Sequence, residues 1–500
     1  MSYCQGEYTQ MKNRRLYALI LSALLLSQSL LACSDTTVTE ETAANTDSSL
    51  SAAPAAEEET APVEEEAVYI SDDLPDADYD GYNYRILSCY FYDKELATYI
   101  TYDEMTGDPV NDALYESQTT IEERFNVDIT WIETGDTTAG QSSARSSITG
   151  GVDAFDILIG HDTNTFALGK AGLLLNLMNI EQFNFDKPWW PKNTVESLRI
   201  ADRLYAASSY LSYCGLHWTR AIAVNKDFAD ELGLEVPYEM VREGTWTLDT
   251  LYSMVEGVSM DINGNGRLDD EDKVGFTSGG QTLYCFQEAC DVPIYRHDAE
   301  GLPFLDLDME RAEYYNEMVG KLFSGDDYLA SGDFGEVLFQ KGNTLFAYTQ
   351  VGNAYDQFRL SEVRYGFLPS PKLNEIQENY INCCTDVPWA MPKTLTGEQR
   401  DLVGTVTEAM SCYNYNHVLP AYYEGAIKSR IADAPDDTEM LQLISDTRTI
   451  GFGYAYGMPL NNFAGTTMGG GIASHFQSQQ KVANKQLDRL ISSTLEIQDD

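Results

Sequence analysis

Five hundred residues, 43% of them apolar, carry a formal net charge of −47. That length and apolar content predict a large core organised as two domains or lobes. The charge repels phosphate backbones and anionic lipid headgroups, which excludes nucleic-acid binding and electrostatic membrane docking and leaves neutral or cationic ligands.

The first element in chain order is MKNRRLYALILSALLLSQSLLAC, from Met11 to Cys33, with Lys12, Arg14 and Arg15 ahead of an apolar run from Leu16 to Leu26. A basic head followed by an apolar stretch too short for an ordinary spanning helix predicts a signal peptide over residues 1–33, with the true start at Met11. An uncleaved anchor helix is the alternative. The end of this segment, Leu30-Leu31-Ala32-Cys33, resembles the lipobox of bacterial lipoproteins. That resemblance implies lipidation of Cys33 and a lipid-anchored protein on the extracellular face of the cell membrane, touching the bilayer through its acyl chains only. Residues 34–80 lack Lys and Arg and are rich in Thr, Ser, Ala, Pro and Glu. Such a segment buries too little surface to offset its ordering entropy and predicts a disordered acidic tether.

Next comes a strand at Tyr84–Ser88 after the turn signal Asp80-Gly81, then an amphipathic helix from Asn111 to Phe125 and an alternating strand at Val127–Trp131. A strand at Phe155–Ile159, a short helix from Asn164 to Ala171 and the apolar run Leu173–Leu177 follow. Arg220–Val224 reads as a strand, Lys226–Leu234 as a helix, and Leu248–Met260 as a helix capped by Thr247, with Trp246 expected to fold onto Leu251. Later elements are a helix at Leu307–Phe323, strands at Asn343–Tyr348 and Arg364–Leu368, and helices at Glu398–Asn414 and Lys481–Leu495. Strands alternating with helices predict mainly parallel α/β sheets.

Cysteine usage adds one constraint. Beyond Cys4 and Cys33, seven cysteines remain, and an odd number without CxxC or Cys/His spacing predicts neither a zinc site nor a full disulfide set. Buried thiols are expected, with a Cys285–Cys290 bridge left open.

The stretch DINGNGRLDDED, residues 261–272, follows the helix that starts at Leu248. Counting from Asp261, side-chain oxygens recur at Asp261, Asn263, Asn265, Asp269 and Asp272, Arg267 offers its backbone carbonyl, and Gly266 permits the sharp turn. A hard cation takes six to eight oxygens at about 2.3–2.6 Å, and this spacing wraps them around one point. Two amide ligands and Asp at the last position predict weak calcium affinity, with a Kd on the order of 10⁻⁴ to 10⁻³ M. Because Val274–Phe276 reads as a strand, the expected role is a structural Ca²⁺ tying helix to strand; a dockerin-like module and a metal-free acidic turn are the rivals.

Several stretches resemble the extracellular solute-binding proteins of sugar-type bacterial ABC importers, family 1-like, in their lipoprotein subgroup. They include Gly172-Leu-Leu-Leu-Asn-Leu177, Phe185-Asp-Lys-Pro-Trp-Trp190, Arg203-Leu-Tyr-Ala206, Ala223-Val-Asn-Lys226 and Asp230-Glu-Leu-Gly-Leu234. Gly244-Thr-Trp-Thr-Leu248, Tyr365-Gly-Phe-Leu-Pro-Ser-Pro-Lys372 and Met391-Pro-Lys393 complete the set. The resemblance implies a periplasmic-binding-protein-like fold, two α/β lobes joined by hinge segments with a ligand cleft between them. Lobe one would take residues 81–218 and 366–412, and lobe two residues 219–365 and 413–500 with the calcium-type loop. It also implies a monomer that closes over a small solute and docks on ABC permease subunits.

Sugar sites pair flat rings with carboxylates, amides and an occasional His or Arg. Candidates at strand ends and crossings are His161, Asp162, His217, Trp218, Tyr348, Asn353, Tyr355, Asp386 and Trp389, with Trp218 and Trp389 the leading cleft residues. Trp189 and Trp190 read as packing. No HExxH, GxSxG or P-loop is present, so the expectation is a binding protein for a carbohydrate and not an enzyme. A secreted glycoside hydrolase with two paired carboxylates is the different-class alternative.

Overall fold

A computed structural model describes residues 69–92, 94–279, 283–332, 335–385, 387–427, 435–468 and 470–497, within a unit running from Val68 to Asp500. The signal-like segment and Cys33 lie outside the described residues. The end of the expected tether does not run free: residues 69–80 lie on the body. Ile70 exchanges hydrogen bonds with the Asn416 side chain, both at 3.0 Å. Asp72 and Asp73 pair with Arg124 and Lys187. The negative charge that predicted a spacer here finds basic partners on the body.

Lobe one is built around the strand β1 (Tyr82–Phe91), which pairs with the short β2 (Lys94–Glu95). Helix α1 (Pro109–Phe125) starts where the Asp108 carboxylate accepts the Val110 and Asn111 amides and Pro109 fills the first turn. β3 (Val127–Asp136) returns parallel to β1, α2 (Thr137–Thr149) packs on both, and β4 (Ile157–Ile159) lies parallel on the other side of β1. Short connections from strand to helix and back to a parallel strand are the expected α/β arrangement. α3 (Asp162–Lys170) begins two residues after β4 ends.

Lobe two opens with β5 (Arg220–Asn225), every residue of which is buried. The helix α4 (Leu248–Val255) is capped by Thr247, whose hydroxyl accepts the Thr250 amide, and it ends before the residues that lead to the 261–272 loop. Trp246 is fully buried, with its indole donating to Pro369 O at 2.9 Å and its ring 6.0 Å from Phe346. Then come β6 (Val274–Ser278), α5 (Leu283–Ala289), α6 (Met309–Ser324), β7 (Tyr328–Ala330), β8 (Thr344–Gln350), α7 (Gly352–Asp356) and β9 (Tyr365–Leu368). The sheet order is β9-β5-β8-β6-β7, with β6 parallel to both of its neighbours and β5 antiparallel to both of its own. β9 pairs Tyr365 with Asn225, so the chain leaves lobe two after residue 368 and not at 366.

The return run carries β10 (Asn382–Cys383) and β11 (Trp389–Ala390), which completes the first sheet in the order β11-β4-β1-β2 with β3 on β1. α8 (Gly397–Tyr413) and α9 (Leu419–Ile427), joined by a π-turn at Asn414–Val418, pack on α1 of lobe one. α10 (Pro435–Asp446) lies on β9 of lobe two, β12 (Arg448–Thr449) pairs with β10, and α11 (Phe452–Ala455) sits on α3 of lobe one. The last helix, α12 (Ile472–Leu495), touches α3 and α6 alike. Residues 413–500 are therefore shared between the lobes, contrary to their expected place in lobe two. No apolar periodicity specifies which of two similar α/β surfaces a helix covers. Three crossing segments lie side by side: Thr219 bridges to Cys384, and the Cys384 amide donates to Thr449 O at 2.8 Å. All seven cysteines of the body are free and buried, so Cys285 and Cys290 are not bridged. Among the described residues no helix is long and apolar enough to cross a membrane.

Candidate functional site

A cavity of about 210 Å³ opens beside the first crossing, and both lobes line it. Lobe one contributes Phe91, Tyr92 and Lys94 from the β1–β2 turn, Tyr99 just beyond it, and His161 between β4 and α3. The crossings add His217, Trp218 and Thr385, while lobe two adds Arg220, Tyr284, Gln350 and Asp356; Tyr454 of α11 closes the set. The rings are grouped. Phe91 lies 5.1 Å from both His161 and Trp218, and Tyr99 meets Trp218 edge-on at 6.2 Å. Separately, Tyr284 and Tyr454 stack at 4.8 Å with 14° between their planes.

A polar chain joins the lobes along this wall. Tyr422 lies 3.1 Å from His217 Nδ1, His217 Nε2 lies 3.0 Å from Asp356 Oδ2, and Lys94 Nζ lies 3.2 Å from Asp356 Oδ1. Burial holds the His217 imidazole below its ordinary pKa even though Asp356 pulls the other way. The neutral ring then carries its proton on Nε2, donates to Asp356 and accepts from the Tyr422 hydroxyl. Burial alone would raise the Asp356 carboxyl, but His217 and Lys94 outweigh it and hold it at about 2.

Of the residues expected in the cleft, His161, His217 and Trp218 line this cavity. Asp162 does not: it is fully buried in the first turn of α3, where Oδ1 accepts the Thr163 amide at 2.6 Å and lies 2.8 Å from His161 Nδ1. Tyr348 is wholly buried on β8, 4.7 Å from Phe286, because its position in the strand points it into the core. Asn353 is buried and donates to Thr349 Oγ1 at 2.7 Å. Tyr355 stacks on Tyr422 at 5.9 Å and its hydroxyl donates to Asp108, joining α7 of lobe two to the cap of α1. Trp389 is fully buried, donating to Ser209 Oγ at 3.0 Å among Phe183 and Trp190. It belongs to the core of lobe one, because β11 turns it away from the crossing. Asp386 lies outside the described residues.

Sequence reasoning missed the β1–β2 turn and the Tyr284–Tyr454 stack. The turn had a usable signal, since Phe91-Tyr92 ends a strand as His161 does. Tyr284 and Tyr454 are separated by much of lobe two and meet only through tertiary packing.

The 261–272 loop is a separate feature. Its base is closed where Met260 and Lys273 exchange backbone hydrogen bonds. Asp261 accepts the Gly264, Asn265 and Gly266 amides, and fully buried Asp272 accepts those of Ile262 and Asp269. Gly264 and Gly266 take left-handed φ values of 71° and 78°. Asn263 and Asn265 direct Nδ2 at the Asp269 carboxylate over 2.6–3.3 Å. Rotating those two amides by a half-turn would bring oxygens to the same space at the expense of the Asn265 and Arg267 amides, which Asn263 Oδ1 and Asn265 Oδ1 now accept. Among the described residues no group of three or more His, Cys, Asp or Glu is gathered to hold a metal. The donor set of this loop also draws on two amides and the Arg267 carbonyl, and by type and backbone path those residues fit a hard cation.

No protein-family model and no curated protein matches this sequence. Solved structures do share its fold. UspC of M. tuberculosis aligns over 81% of this chain and 100% of its own, at 15% identity and a TM-score of 0.54. UgpB from Mycobacterium tuberculosis, solved in complex with glycerophosphocholine, aligns over 78% and 98% at 16% identity and a TM-score of 0.50. A family 1 extracellular solute-binding protein from Bifidobacterium longum subsp. infantis covers 83% and 99% at 13% identity and a TM-score of 0.48. The fold is the two-lobed, periplasmic-binding-protein-like α/β fold.

Proposed function

We propose that this chain is the solute-binding subunit of an ABC importer, held on the extracellular face of the cell membrane by a lipid on Cys33, and that its solute is a carbohydrate. The observation that carries this reading is the cavity beside the crossings, lined by rings and hydrogen-bonding groups from both lobes. Rings suit the C–H faces of a sugar, and His161, Gln350, Asp356 and Thr385 suit its hydroxyls. The two-lobed fold supports a body that shuts on its guest and presents the closed form to permease subunits as a monomer. Lipid anchoring rests on the sequence of residues 11–33 alone. One calcium in the 261–272 loop belongs to the same reading as a brace: its charge would draw the carboxylates and amides together and fasten α4 to β6.

A thermal-shift screen of sugars tests it. A solute at a hundred times its Kd adds about 2.7 kcal/mol of stability, and it should be recovered intact. Glycerophosphocholine belongs in the panel, because aromatic walls also attract a quaternary ammonium. Stabilisation by no sugar would contradict the carbohydrate reading, and the release of cleaved sugar would favour a hydrolase.

A further inference from the structure

Asp162 is a fully buried carboxylate in the first turn of α3, and among the described residues no lysine or arginine pairs with it. A buried carboxylate is costly unless donors surround it. The donors here are the Thr163 amide at 2.6 Å, His161 Nδ1 at 2.8 Å and the Tyr454 hydroxyl. His161 and Tyr454 both line the cavity, so the carboxylate stands behind its wall and holds two of its side chains.

Each contact fixes a direction. A carboxylate oxygen only accepts, so Nδ1 carries the His161 proton, and in the neutral ring Nε2 is left as an acceptor. Thr163 Oγ1, at 3.3 Å from Nδ1, is the more distant neighbour of that nitrogen. Nε2 has no hydrogen-bond partner among the described residues, and 23% of the His161 side chain stays exposed. Burial first, and the Asp162 charge after it, raise the pKa of Tyr454, so its hydroxyl keeps its proton and gives it to the carboxylate. The Tyr454 ring, held in this way from lobe one, stacks on Tyr284 of lobe two.

Resting on the solute-binding reading above, we infer that Asp162 is a positioning residue for the solute: it locks His161 in the tautomer whose Nε2 accepts a hydrogen bond from a sugar hydroxyl, and it anchors the Tyr454 ring. The site then selects a hydroxyl that donates at this point. A group that can only accept is rejected there.

Nitrogen NMR of the unliganded protein with nitrogen-labelled histidine, at about pH 8 and so above the ordinary histidine range, tests the lock without any solute. In the signals that His161→Gln removes, Nδ1 should be protonated and Nε2 bare. A bare Nδ1, or two protonated nitrogens, would overturn the inference. Titration with glucose, galactose, mannose and xylose, each beside its deoxy and deoxyfluoro analogues, tests the selection, because fluorine keeps an acceptor and removes the donor. At one hydroxyl position the deoxyfluoro sugar should bind as weakly as the deoxy sugar, about three- to tenfold below the parent sugar. Fluoro analogues that bind as well as the parent sugars at every position would overturn the acceptor role. Asp162→Ala should release the tautomer and weaken binding by a similar factor, and Asp162→Asn, which keeps an accepting oxygen, should restore both in large part. A merely structural Asp162 would lower the melting temperature in these variants and leave the nitrogen signals and the analogue pattern unchanged, which would overturn the assignment. Binding of none of these sugars would remove the carbohydrate reading and this role with it, while the nitrogen spectrum would still report the lock.

Discussion

His217 Nε2 donates to Asp356 Oδ2 over 3.0 Å, and this hydrogen bond ties the first crossing segment to lobe two at the edge of the cavity. Burial keeps the imidazole neutral, below its ordinary value of 6.5. As pH falls through 6.5 the unfolded chain takes up the proton first, so the His217 contribution is present above 6.5 and is lost below it. In urea unfolding from pH 7.5 to 5, the parent should therefore lose stability relative to His217→Gln on the acid side. An identical slope in the variant would contradict the neutral assignment.

Glu408 predicts the opposite slope. Its two oxygens accept the indole N–H groups of Trp189 and Trp190, each at 2.9 Å. Burial nonetheless raises the carboxyl to about 7, the indoles offsetting only part of it. With the folded value above the unfolded 4.5, the Glu408 contribution is fully present below 4.5 and is lost as pH rises through 7, by on the order of 3 kcal/mol. Glu408→Gln should flatten that limb in difference profiles against the parent.

The two tryptophans at the crossings should behave differently. Trp218 lines the cavity and Trp389 is buried in the core of lobe one. Trp389→Ala should cost about 3–5 kcal/mol of stability. Trp218→Ala should cost far less stability and at least tenfold in solute affinity. Equal loss of stability in both would contradict the placement of Trp218.

Calcium should stabilise the body without being needed for solute capture. With a Kd on the order of 10⁻⁴ to 10⁻³ M, 10 mM calcium adds about 1.4–2.7 kcal/mol. Asp261→Asn should abolish this increment, since Asp261 would supply the first ligand and also accepts the loop's own hydrogen bonds. A melting temperature unmoved by calcium or chelator in the parent protein would remove the metal from the loop.

Much of the fold was legible because its signals are local. The strand-like run from Tyr84 after the Asp80-Gly81 turn, the cap at Thr247 and the apolar run before Asn225 each specify an element by themselves, and the structure has them at β1, α4 and β5. Lobe membership was less legible. Whether β9 joins β5 or the other sheet depends on pairing partners that no single strand encodes. The site was legible only where a strand end meets a polar or aromatic residue, as at His161 and Trp218. Trp389 misled because β11 is two residues long, too short for alternation to say which face its ring takes. Tyr284 and Tyr454 gave no signal, since their stack is a contact between α5 and α11.

The most direct test of solute capture is titration of the purified body with a carbohydrate panel, followed by chromatography of what it releases. One solute bound per protein and returned chemically unchanged is the predicted result. A cleaved sugar in the eluate would contradict capture without chemistry, and the guest-binding role of the cavity would fall with it.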